Sequence, residues 1–208
     1  LALYPRLKGV VANSEDALRT ACNLAIAGNS IDLAPGSYHG DINEIVETAL
    51  ASPPVIDNYP DFKNSIHNSK RILYLGDNAG EIVFDRLLIE ELRKVKELEV
   101  IFVTRERPII NDVTLDDAIL VGMDKVARVI SSGSDAPTTI LSQCSSEMLE
   151  YYHSADTIIA KGYVNYESLD EETENIFFFL RVKCPVGAKL LEAEVGDSVL
   201  KQQRIVDK

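Results

Sequence analysis

Hydrophobic positions along the chain change period near residue 70. Before it, Leu18, Ala21, Cys22, Ala25 and Ile26 recur at helical spacing behind Ser14-Glu-Asp-Ala-Leu18, which offers an N-cap and acidic first-turn residues. Gly28-Asn29 ends that stretch. A second helix is expected from about Asp41 to Ala51, stopped by Ser52-Pro53-Pro54, and a short polar one around Asp61 to Asn68. From Arg71 onward five apolar, mostly β-branched runs follow: Ile72 to Leu75, Val100 to Val103, Ala127 to Ile130, Thr157 to Ala160 and Ile176 to Val182. Amphipathic helical stretches separate the earlier runs. Ile82, Val83, Leu87, Leu88, Glu91 and Leu92 turn one face inward, and Thr138 to His153 supplies another. Apolar runs alternating with helices predict a three-layer α/β fold, a doubly wound and mostly parallel sheet. Residues 1–68 are expected as a helical cap or subdomain, and 69–208 as a Rossmann-like α/β catalytic domain.

Polar clusters fall directly after these runs. The first empties into Gly76-Asp77-Asn78, with Glu81 opening the next helix, and the second into Thr104-Arg105-Glu106 and then Ile110-Asn111-Asp112-Val113. The third leads to Ser131-Ser132-Gly133-Ser134-Asp135, the fourth to Lys161-Gly162-Tyr163-Val164-Asn165-Tyr166-Glu167. In a parallel sheet these loops share one edge, where ligands bind. Each has a plainer explanation. Gly76-Asp77-Asn78 could be a tight turn, Asn111 to Thr114 an N-cap for a helix over Leu115 to Val121, the serine loop a strand-to-helix turn, and Lys161 a solvated strand end. Their occurrence on one edge favours a site. Lys161, directly after an apolar run and before Gly162, is expected to aim its amine along that edge, and successive N–H groups of the serine loop form an anion cradle. Asn29 and Asp32 are polar at a helix end where an apolar residue would serve packing. Two carboxylates and an amide suit a hard cation such as Mg²⁺ or Mn²⁺, and a lysine with backbone amides suits phosphate. Together they point to phosphoryl chemistry.

Composition narrows the partners. The 208 residues suit one ordinary domain with a helical subdomain, and with 46% hydrophobic and 26% charged residues no apolar stretch is long enough to span a bilayer. A membrane partner is not expected. The formal net charge of −12 argues against nucleic acid, whose phosphates are bound by clustered Lys and Arg, and requires a local cation to meet any anionic substrate. Cys22, Cys144 and Cys184 are scattered, which fits a reducing cytoplasm and buried small hydrophobes. His39, His67 and His153 lack zinc-ligand spacing. Leu1-Ala-Leu-Tyr-Pro5 carries neither an initiator Met nor a signal-peptide pattern, so an upstream segment is expected. A homo-oligomer remains open.

Four segments together resemble the DUF89 family, the damage-control phosphatases that include acidic-residue methyltransferase 1-like proteins. They are Gly76-Asp77-Asn78-Ala79-Gly80-Glu81, Arg105 to Thr114, Ser132-Gly133-Ser134-Asp135-Ala136-Pro137, and Lys161 to Glu167. Tyr4 to Leu33 also resembles the family's upstream region, and the chain is most similar to the short archaeal or bacterial branch. The cysteine motifs common near the N-terminus of that branch are absent from this sequence, which leaves a second metal site in doubt. The resemblance implies metal-dependent hydrolysis of phosphomonoesters of small phosphorylated metabolites, with Mg, Mn, Co or Ni as the divalent ion. It implies metal ligands at Asp77, Asn78 and Asp112, catalytic roles for Asp77, Asp112 and Lys161, and phosphate contacts from Lys161 and Asn165. Gly133 and Ser134 would add backbone contacts; Glu81, Arg105 and Glu167 join the substrate-binding set, open between direct contact and brace. The attacking group stays open between Asp77 and water. A dehydrogenase is disfavoured, because the first strand turn lacks G-x-G-x-x-G. An S-adenosylmethionine-dependent methyltransferase and a non-catalytic metal-binding protein remain alternatives.

Overall fold

The five apolar runs become five parallel strands, four of them buried on both faces as only a covered sheet allows, and the one over Arg128–Ser131 only partly buried at the sheet's edge. The computed structural model describes residues 4–30 and 42–203. Asp32, His39 and Asp41 lie outside them. The strands are β1 (Ile56–Asp57), β2 (Arg71–Leu75), β3 (Glu99–Thr104), β4 (Arg128–Ser131), β5 (Thr157–Lys161), β6 (Ile176–Arg181) and β7 (Ser198–Gln202). They form one sheet of order β1-β7-β6-β5-β2-β3-β4, parallel except where β7 runs antiparallel to β6. The helices are α1 (Tyr4–Ala12), α2 (Ala17–Gly28), α3 (Ile42–Ala51), α4 (Tyr59–Asn68), α5 (Ile82–Val95), α6 (Leu115–Leu120), α7 (Ser146–Ser154), α8 (Tyr163–Leu169) and α9 (Pro185–Leu191).

Alternation along the strands divides the core into two layers. Ile72, Tyr74, Phe102, Ile159, Phe177 and Phe179 face the side that holds Leu24 and Ile26 of α2, Phe62 and Ile66 of α4, and Leu87 and Leu88 of α5. Leu73, Leu75, Ile101, Ile158, Phe178 and Leu180 face the other side, with Met148, Tyr152, Leu169 and Leu191. The helices of residues 4–30 and 42–68 therefore share a core with the sheet. Almost all of α2 is buried.

Three local details depart from the sequence reading. Asp16 rather than Ser14 caps α2, accepting from Arg19 N at 3.0 Å, while the Ser14 hydroxyl donates back to Val11 O. The helix expected from Thr138 begins only at Ser146, because Thr139 N and Oγ1 are drawn to Asn165 Oδ1 at 3.1 and 2.9 Å and Ser145 supplies the cap. Strands β1 and β7 were not anticipated. The first has two residues, and the second mixes Ser198, Lys201 and Gln202 with its two buried apolar residues.

The connectivity creates the crevice. From β2 the chain winds outward through β3 and β4, returns past β2 to β5, and continues to β6. Adjacent β2 and β5 thus lead their following loops in opposite directions, and ligands in open α/β sheets bind at such a switch point. Phe62 anchors α4 here, with its ring 5.2 Å from both Phe177 and Phe179 in edge-on geometry and no exposure. Phe62→Ala should lower unfolding free energy by about 3–5 kcal/mol. Urea titration followed by circular dichroism checks this; a loss below ~1 kcal/mol would contradict the packing described.

Candidate active site

Two loops meet at the carboxyl end of β2. Gly76 must be small, since a Cβ would lie 2.7 Å from Val113 Cγ1 and 2.9 Å from Phe102 Cζ. That close approach lets the loop after β3 run back along residues 77–79: Val113 N donates to Asp77 O at 2.8 Å, Ala79 N to Asn111 O at 2.9 Å, and Asn78 pairs with Asp112 in an antiparallel bridge. The pairing brings Asp112 beside Asp77 and Asn78. Thr114 caps α6 through a reciprocal box with Asp117, so Asp112 is free of that duty. The turn leading to Asp112 holds exposed Ile110 at φ 50°, a conformation that β-branched residues disfavour.

Beneath these residues lies a buried polar network. Thr157, Ile159 and Lys161 point to the same face of β5, so Lys161 is directed at α5, and it is fully buried. Its ammonium donates to Glu81 Oε2 at 2.5 Å and Asp85 Oδ1 at 2.6 Å. Glu81 Oε1 accepts from Asn29 Nδ2 and Asn78 Nδ2, each at 3.0 Å, and from Asn78 N. The same two amides donate to Asp77 Oδ2, at 2.8 Å from Asn29 and 2.9 Å from Asn78. Tyr74 donates to Asp85 Oδ1, while Asp85 Oδ2 is buried without a partner. Gly162, at φ 80°, closes over Asp77; a Cβ there would lie 2.1 Å from Asp77 Oδ2.

The remaining expected residues are distributed unevenly around this centre. Arg105 is buried, donates from Nε to Asp112 Oδ2 at 2.8 Å, and leaves Nη2 without an acceptor. Asn165 is fully buried and ties the ends of β5 and β2 to the Thr139 segment, donating to Lys161 O at 2.8 Å. Gly133 N and Ser134 N are taken by the Ser131 and Ser132 hydroxyls, and Ser134 O accepts from Glu106 N. Glu167 is exposed on α8. Asn29 was conspicuous in the sequence as a polar residue at the end of α2, and it belongs to the network. Asp85 was missed, although an acid one turn beyond Glu81 on the sheet-facing side of α5 was the available signal.

Acids outnumber cations here. Burial, reinforced by repulsion from Glu81, pushes the Asp77 carboxyl up to about 8. Burial likewise raises Asp85 to about 6, against the pull of Lys161, and raises Asp112 despite the Arg105 guanidinium. For Glu81 the opposite holds: Lys161 and the two amides overcome burial and hold it below its ordinary value. Burial alone would depress Lys161, yet Asp85 and Glu81 raise it.

Four buried acids face Lys161 and Arg105, with the Lys183 charge also acting on Asp77, so acids exceed cations and a divalent cation would reduce the repulsion among them. The donor chemistry fits one. Asp77 and Asp112 would supply carboxylate oxygens, and Asn78, whose nitrogen faces Asp77 and Glu81, would supply an amide oxygen. Among the described residues no three His, Cys or carboxylate side chains form a ready cage. Mg²⁺-like ions bound by two carboxylates with water and substrate do not need one.

Two outcomes follow from this geometry. Gly162→Ala should displace Asp77 and weaken Mn²⁺ binding about ten- to hundredfold, measured by electron paramagnetic resonance; unchanged affinity would sink the placement of Asp77. The metal-free protein should lose stability as pH rises from 5 to 8. Asp77 and Asp85 have folded values above the unfolded value of about 3.9, so the folded state holds more protons in that window, and unfolding free energy falls as they ionise. Glu81 and Lys161 titrate outside the window in the unfolded chain and do not reverse the sign. A Tm with EDTA that rises between pH 5 and 8 would contradict this.

A family model described as the damage-control phosphatase ARMT1-like domain matches residues 1–199. An uncharacterized protein of Methanocaldococcus jannaschii is 41% identical over 199 residues, which cover 91% of this chain and 65% of that protein. A damage-control phosphatase of Pyrococcus horikoshii is 40% identical over 177 residues, covering 85% of this chain and 62% of its own length. The chain therefore spans less than two thirds of these two relatives. A crystal structure of a DUF89 family protein from Pyrococcus horikoshii matches with a TM-score of 0.86 at 35% identity, covering 98% of this chain and 72% of that one. With its strand order, its crevice and these matches taken together, the chain belongs to the damage-control phosphatase ARMT1-like family.

Proposed function

We propose that the chain carries the active site of a metal-dependent phosphatase that hydrolyses phosphomonoesters of small metabolites. The observation that carries this reading is the convergence of Asp77, Asn78 and Asp112 at the switch point, over a buried network with too little positive charge. Relatives named damage-control phosphatases support it. Asp77, Asn78 and Asp112 would hold a divalent cation, which when bound would supply Lewis-acid stabilisation for phosphoryl transfer.

The chain's own residues do the rest by positioning. Asn29 and Asn78 both fix Asp77 Oδ2, so the carboxylate keeps one orientation while substrate enters. Arg105 Nε holds Asp112 through its Oδ2. Lys161 offsets part of the charge of Glu81 and Asp85, which keeps the acids beneath the site from repelling an anionic substrate as strongly as they would alone. Its ammonium has no exposed surface in this arrangement, so its contribution to phosphate recognition is electrostatic and indirect.

The decisive experiment screens phosphorylated sugars and cofactor fragments with Mg²⁺, Mn²⁺, Co²⁺ or Ni²⁺, with EDTA as control. Asp77→Ala and Asp112→Ala should each reduce turnover by about a hundredfold or more while circular dichroism stays unchanged. Full turnover in either purified variant, or phosphate release insensitive to EDTA, would reject the reading. Saturable S-adenosylmethionine binding without phosphate release would replace it with the methyltransferase alternative.

A further inference from the structure

At the end of the sheet away from the crevice, the chain leaves a cavity of about 400 Å³. It lies between α4 and the amino ends of β5 and β6, beside the last residue of β7. Thr157, which opens β5, stands about 13 Å along that strand from Lys161, which ends it. Phe62 and Ile66 turn one face of α4 into the core, while Asp61, Asn64, Ser65 and Asn68, spaced as another face of the same helix, line the cavity. A polar helix face in open solvent would need no explanation. This one stands across from strand ends that hydrogen bonds have already set. The Ser65 and Ser69 hydroxyls meet that of the fully buried Thr157 at 2.5 and 2.8 Å. Asn175, directly before β6, donates from Nδ2 to Ser65 Oγ at 2.7 Å and to Asp156 O at 3.1 Å, and its Oδ1 accepts from Gln202 Nε2 at 3.1 Å. Walls held in this way lose little freedom when a ligand arrives.

We propose that this cavity is a second binding site, separate from the crevice, for a neutral small molecule carrying several hydroxyl groups, such as a free sugar. Its lining consists of four carboxamides, two hydroxyls and two carboxylates, with no Lys, Arg or His. A carboxamide both donates and accepts, and so does each hydroxyl of such a ligand, so the two sides complement one another. Phosphate esters fit poorly, because Asp61 and Asp156 meet them without a lining cation on a chain of net charge −12. An organic cation is matched less well than a polyol. Asp156 Oδ2 already accepts from Lys70 N and Arg71 N at 2.7 and 2.9 Å, and Asp61 Oδ2 from Asn58 Nδ2 at 3.2 Å, so amides and hydroxyls dominate what the cavity offers. The volume lies within the range of small-molecule sites. None of the lining residues belongs to the phosphatase reading, and the site stands or falls independently of it.

The test titrates the nitrogen-labelled full chain with D-glucose and D-ribose, using the phosphate ester of glucose and spermidine as comparison probes, and follows side-chain amide resonances. At least one of the two sugars should move the signals of Asn64, Asn68, Asn175 and Gln202 saturably and leave those of Asn29 and Asn78 in place. At the cavity amides, the phosphate ester and spermidine should each bind more weakly than that sugar. Asn64→Ala combined with Asn68→Ala, both exposed on α4, should weaken the sugar about tenfold while circular dichroism stays unchanged. The resonance shifts are read in the unaltered protein, so the test survives a variant that fails to fold. No saturable shift of the cavity amides with either sugar, shifts confined to Asn29 and Asn78, or unchanged affinity in the folded double variant would each overturn the proposal. Tighter binding of the phosphate ester at the cavity amides would make it an anion site, and tighter binding of spermidine a cation site; either result overturns it as well.

Discussion

The fully buried ammonium of Lys161 is the constraint on which the site depends. It sits between Glu81 and Asp85, and those acids in turn meet Tyr74, Asn29 and Asn78. Three charges buried together are stable only as a set, because removing one leaves the others uncompensated in a low-dielectric interior. The set links β5, α5, β2 and the end of α2 through hydrogen bonds with little freedom. Asp77 is located by that linkage: both amides that grip Glu81 also grip Asp77. The crevice thus inherits its shape from charges that never reach it.

The last residues of α2 enter the site from a helix that sequence patterning assigns to a covering layer. Asn29 is wholly buried, donates to Asp77 and Glu81, and accepts from Arg181 N. Gly28 makes the approach tight, since a Cβ there would meet Glu81 Cβ at 3.1 Å. The helix is therefore part of the chemistry's scaffold, and its packing on α5 fixes the distance between Asn29 and the carboxylates.

Much of this was legible in the chain. Strands buried on both faces announce themselves as unbroken apolar runs, which is why β2, β3, β5 and β6 could be read directly. The positions after them, Gly76-Asp77-Asn78, Asp112 and Lys161, could be read because polar residues at strand ends stand out against such runs. What stayed hidden is long-range. Nothing local tells that Lys161 turns toward α5 to join two acids 80 and 76 residues away, or that Asn165 holds back the start of α7. Asp85 was masked by its setting, an acid among apolar neighbours on a helix whose period looks complete without it. β1 escaped because two residues carry no period, and β7 because an antiparallel strand near the sheet's edge alternates weakly.

The pairing of β1 with β7 has a consequence for how the molecule comes into being. Ile56 and Asp57 pair with Val199 and Leu200, Val55 N and Asn58 N donate to Ser198 O and Leu200 O, and Gln202 N donates to Asn58 Oδ1. One strand thus waits for a partner made some 140 residues later. Until β7 emerges, β6 presents an unpaired and almost wholly apolar edge, the kind of surface that invites pairing with the wrong chain. β7 covers that edge of β6, so the nascent chain is most in need of protection between the synthesis of β6 and that of β7.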